Sequence, residues 1–174
     1  MPKVRNLVVL AAVAALATSS AAAHVTLENR EAPVGAPYKA VFVVPHGCAG
    51  SATIKLRVQI PEGVIASAPA PKSGWNVDVI KGKYAAEYDY QGGKITEGIK
   101  EVVWSGGKLP PHEHDQFMID TYLTDALKPG SMLYFPTVQE CEQGISRWID
   151  LPAQGSGSHD TKWPAPGVKL MPKS

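Results

Sequence analysis

The stretch "TIKLRVQI" (53–60) alternates without interruption, with Ile54, Leu56, Val58 and Ile60 on one side and Lys55, Arg57 and Gln59 on the other. Side chains of a strand point alternately to opposite faces, so this period of two marks a strand with one face in a core and one in water. Further strand candidates are "YKAVFVV" (38–44), "WNVDVI" (75–80), "EYDY" (87–90), "IKEVVW" (99–104), "QFMIDTYLT" (116–124), "MLYFPTV" (132–138) and "RWIDL" (147–151). Gly/Pro turn signals separate them: "PHGCAG", "PEG", "PKSG", "QGG", "SGGKLPP" and "KPG". No segment sustains a period of 3.6 between caps. Short strands punctuated this often predict an all-β fold, a two-sheet antiparallel sandwich of the immunoglobulin or cupredoxin kind with Greek-key connections.

The first 23 residues stand apart from this pattern. Lys3 and Arg5 precede an apolar run from Leu7 to Ala17, too short to span a bilayer, and small residues follow. Ala21 and Ala23 fit the positions three and one before a cut at His24, so residues 1–23 read as a secretory signal peptide. Cuts after Ala22 or after Ala21 satisfy the same small-residue rule. The division expected is a signal at 1–23, a sandwich domain at 24–152, and a Gly/Ser/Pro-rich tail at 153–174 laid over the domain or partly loose. Loss of Lys3 and Arg5 takes the formal charge from +1 to −1. No basic field remains to attract nucleic acid. No later apolar run is long enough for a membrane helix. The expected location is periplasmic or otherwise extracytoplasmic.

Cys48 and Cys141 are the only cysteines, 93 residues apart. In an oxidising compartment they are expected to form a disulfide. The rival is a metal site using Cys48 with His46. A blue-copper centre wants a His and a Met shortly after its Cys, and "CEQGISRW" supplies neither.

A cut before His24 would create unusual chemistry. The new α-amine and the Nδ1 of the same residue can grip one metal in a six-membered chelate ring. An α-amine ordinarily titrates at roughly 7.7 to 8 and an imidazole at roughly 6.5, so a metal can displace both protons near neutral pH. Two nitrogens with a carboxylate or water suit tetragonal Cu(II), which also heads the divalent affinity order for such donors. A cut one or two residues earlier would change the coordination. Elsewhere, "PPHEHDQF" sets His112 and His114 two apart beside Glu113 and Asp115, which reads as a solvated turn rather than a second metal site.

The ordered motifs "HVTLENREAPVG", "YKAVFVVPHGC", "TIKLRVQIPEGV", "WSGGKLP", "LYFPTVQECEQG" and "RWIDLP" resemble the YcnI-like family of bacterial copper-binding proteins, from His24 to about Pro152. The resemblance implies a β-sandwich holding Cu(II) at its own amino terminus through a single-histidine brace. It implies His24 as the source of amine and imidazole, Glu31 in "REAPVG" as the oxygen ligand, and Trp148 in "SRWIDLP" as the ring over the metal. Glu28 competes with Glu31, because in a straight strand it shares a face with His24. Trp148 has a competing role as core filler, the expected role of Trp75 and Trp104.

The function expected is non-enzymatic: an exported copper chaperone or sequestering protein in copper homeostasis. Its expected partners are the copper ion and a copper-transport membrane protein or another periplasmic chaperone. The alternatives are a copper oxidase or mono-oxygenase with a two-histidine brace, and a metal-free sandwich module for protein contacts.

Overall fold

The computed structural model describes residues 24–152 and 161–173. The expected signal peptide, its cut sites and the "GSGS" part of the tail lie outside the described residues. Among the described residues twelve strands follow one another: β1 (Thr26–Leu27), β2 (Glu31–Pro33), β3 (Ala36–Val44), β4 (Thr53–Gln59), β5 (Val64–Pro69), β6 (Asn76–Tyr90), β7 (Gly93–Leu109), β8 (Asp115–Leu123), β9 (Met132–Tyr134), β10 (Thr137–Cys141), β11 (Ile145–Trp148) and β12 (Gly167–Met171). One sheet runs β1-β3-β8-β5 and the facing one β11-β10-β4-β7-β6, with every pairing antiparallel. This is the all-β sandwich that the alternation predicts. A third, three-stranded sheet, β2-β12-β9, was not expected; its β2–β12 pairing is parallel.

The core lies between the two large sheets. Phe117 of β8 meets Trp104 of β7 at 5.4 Å between ring centroids, edge to face, and Trp75 at 5.1 Å. In β4, Leu56 and Val58 are fully buried, as their phase requires. The inward phase does not extend to Ile54. A register shift between Thr53 and Lys55 turns Thr53 inward and leaves Ile54 half-buried.

Three local readings give way to tertiary structure. "WNVDVI", from Asn76 on, and "EYDY" are parts of a single strand, β6, which turns at Gln91-Gly92 into β7; both turn residues have positive φ (50° and 79°), as a twisted two-residue hairpin demands. "SGG" (105–107) is not a turn but lies inside β7, where a Cβ at Gly107 would overlap the Trp75 ring. "MLYFPTV" splits at Phe135-Pro136 into β9 and β10, in different sheets, because proline has no N–H to continue a ladder.

The C-terminal tail needs the largest correction. Residues 167–171 form β12, the middle strand of the third sheet, with Val168 and Leu170 buried in the main core. Two aliphatic side chains so buried stabilise the fold by about 1.5–3 kcal/mol each.

Candidate metal centre

His24 sits two residues before β1, at the edge of the first sheet, and is half-buried, while Val25 next to it is sealed into the core at 1% exposure. Trp148 ends β11, the edge strand of the facing sheet. The two rings meet across that gap with centroids 5.4 Å apart and planes tilted by 55°. Trp163 packs on the other side of Trp148, edge to face at 4.8 Å. Its segment is held by Asp150: the Asp150 amide donates to the Trp163 carbonyl, and the Ala165 amide donates to the Asp150 carbonyl. The Trp163 amide adds a bond to the Asp150 carboxylate at 3.0 Å. Trp148 thus takes the core role that competed for it and also touches the His24 ring. It belongs to the main core, 4% exposed, and it forms a wall beside His24.

A polar network inside the core fixes the indole. The Trp148 Nε1–H donates to Gln139 Oε1 at 3.1 Å. Gln139, 1% exposed, donates from Nε2 to the His46 carbonyl and to Thr53 Oγ1, both at 2.7 Å. All four groups are thereby paired, as buried polar atoms must be. The Cys48–Cys141 disulfide, with Cα atoms 5.9 Å apart, ties the same region together by joining the loop after β3 to the end of β10. It is the bridge expected from the cysteine arithmetic. His46 turns its ring N–H to the Gly47 carbonyl at 2.6 Å.

The carboxylate candidates stand on the other side of a bend. β1 ends at Leu27, the chain leaves that sheet over residues 28–30, and β2 begins in the third sheet at Glu31. Tyr38 holds the bend, donating from its hydroxyl to the Asn29 carbonyl at 2.6 Å, and burial pushes its phenol far above its ordinary range. The straight strand that would align Glu28 with His24 is therefore absent. Glu28 is exposed, and Glu31 lies 3.9 Å from Lys169 in an open ion pair. Neither lines the groove beside His24, which has a volume of about 300 Å³ and is walled by Leu27, Arg30, Met132, Tyr134 and Pro164. Among the described residues no three His, Cys, Asp or Glu side chains converge as a metal cluster, and His112 and His114 are exposed in the loop before β8.

Sequence reasoning missed Gln139 and Trp163. Gln139 sits at an inward position of a short strand where an apolar residue is usual, which is a weak signal. Trp163 had none, because its neighbours read as tail.

A family model described as a domain of unknown function, DUF1775, matches residues 24–170. No curated protein matches the chain. Among solved structures, the crystal structure of an uncharacterized protein from Nocardia farcinica with an immunoglobulin-like fold is similar, with a TM-score of 0.63 and 22% identity. The match covers 85% of this chain and 98% of that one, and it shows a shared fold.

Proposed function

The chain belongs to the DUF1775 family, the YcnI-like domain, and on that premise we propose that it is an exported protein that carries or sequesters Cu(II) at His24. The observation that carries the reading is the seating of the His24 ring against Trp148. An imidazole held at a sheet edge, with a locked indole beside it, suits a metal gripped by one residue's amine and Nδ1. The oxygen donor in this reading is Glu31, with Glu28 as its rival. The exposed Lys169 contact of Glu31 contributes little and is released at little cost.

Several features support the proposal. The family match begins at His24, the residue that the favoured cut would expose. The disulfide fits an oxidising, extracytoplasmic compartment. The Gln139 bond holds Trp148 in place, so the indole can cover one side of a bound ion and keep water off it, favouring storage or transfer over oxygen activation. In this reading the copper passes to or from a membrane copper transporter or another periplasmic chaperone.

The test is intact mass and Cu(II) titration of the natively exported protein, beside a variant in which one glycine precedes His24. The parent is expected to start at His24 and bind one Cu(II) per chain, with two nitrogen donors from that residue in electron paramagnetic resonance. The extended variant should change its donor set rather than lose the ion, because a Gly-His terminus chelates Cu(II) through its amine, the deprotonated His24 amide and Nδ1 in two fused rings, and the resonance spectrum reads that added nitrogen. The same resonance spectrum from the two proteins, or a parent spectrum without the two nitrogen donors, overturns the proposal.

A further inference from the structure

We propose that the groove beside His24 binds a soft monovalent cation, Cu(I) or Ag(I), between the His24 imidazole and the Met132 thioether. Both residues line this one cavity of about 300 Å³. Met132 opens β9 and is 45% exposed, whereas its neighbour Leu133 is buried. Its side chain lies over Gly167 of β12: a Cβ at 167 would stand 2.9 Å from Met132 Cε and 2.8 Å from Tyr134 Cε1. The bare glycine therefore gives the thioether its place at the groove. No hydrogen bond among the described residues engages the His24 ring, so its nitrogens remain available as donors.

The donor chemistry selects the ion. Thioether sulfur is a soft ligand that favours Cu(I), while imidazole serves several copper states. Filled-shell monovalent ions accept two or three donors, so a thioether and an imidazole suffice. Methionine has three rotatable bonds and can close on such an ion without moving the strand. Arg30 lines the same groove and has no ion-pair partner among the described residues. Its repulsion of a monovalent ion is half that of a divalent one at equal distance, so this charge costs a monovalent ion less in the groove. This inference goes beyond the cupric reading. It shares the His24 ring with it but needs neither the free amine nor a carboxylate.

Silver is the probe, because it needs no reductant. The exported protein, labelled with ¹³C at its methionine methyls, is titrated with Ag(I), and Met132→Leu is titrated alongside. The swap nearly conserves volume and is made at a half-exposed site. The methyl resonance that Met132→Leu removes should be the one that shifts with one equivalent of Ag(I). Ag(I) affinity should fall at least about tenfold in the variant, with its Cu(II) resonance spectrum unchanged. Equal Ag(I) affinity in Met132→Leu, or a shift confined to Met118 or Met171, overturns the inference. Loss of Cu(II) binding by the parent with the Ag(I) response intact would remove the cupric reading and leave this one standing.

Discussion

Replacing Gln139 with leucine tests whether the polar network is what fixes the indole beside His24. Leucine keeps approximate size and burial but removes three hydrogen bonds, to the His46 carbonyl, Thr53 Oγ1 and Trp148 Nε1. A buried polar atom left unpaired costs about 1–3 kcal/mol. Trp148 is 4% exposed, so its Nε1–H bears most of that cost. Thr53 Oγ1 retains a long contact to Cys141 Sγ at 3.7 Å, and half-buried His46 can recruit water for its carbonyl. Burying leucine in place of an amide returns about 1 kcal/mol. The net loss expected is about 1–2 kcal/mol. With a urea m-value of about 2 kcal/mol/M, the midpoint should fall by about 0.5–1 M at unchanged slope. Gln139→Glu provides a second arm. Only its protonated form can donate to the His46 carbonyl, so burial should raise its folded pKa above the unfolded value. Its stability should then be greatest below about pH 4 and fall as pH rises. A Gln139→Leu midpoint within about 0.2 M of the parent would refute the reasoning.

Opening the Cys48–Cys141 bridge, by Cys48→Ala with Cys141→Ala, should lower unfolding stability by up to about 4–5 kcal/mol on loop-entropy grounds, read by urea titration. At Glu62, burial raises the carboxyl pKa, but bonds from Lys100, Tyr88 and the Ala85 amide outweigh it and hold it below its ordinary value. A depressed carboxylate stabilises the fold above its unfolded pKa, and the benefit disappears as pH falls through the folded value. Glu62→Gln should therefore cost about 1 kcal/mol or less at pH 7, given its partial exposure, and nothing near pH 3 in the same titration. Cu(II) should quench the indole fluorescence of the parent, and Trp148→Phe combined with Trp163→Phe should abolish most of that quenching. Quenching as strong from the remaining Trp75 and Trp104 would place the ion away from Trp148.

The sandwich was legible because period-two patterning is local: each inward residue of "TIKLRVQI" is specified by its neighbours, and Gly/Pro turns mark where strands end. The disulfide followed from two cysteines and an expected export signal. Composition misled where a strand's burial came from distant partners. "GVKLM" alternates over only five residues among Pro and Gly, and becomes a core strand because β2 and β9 flank it. The same limit applied at the site. Residue types near the cut suggested His24, and family likeness suggested Glu31 and Trp148. Only the folded chain shows that His24 meets Trp148, that Gln139 orients the indole, and that Trp163 and Met132 border the same region. A single strand's sequence determines its pleat and its faces. Which strand edges face each other across a sandwich depends on the chain's whole path, and the residues that meet there are far apart in sequence.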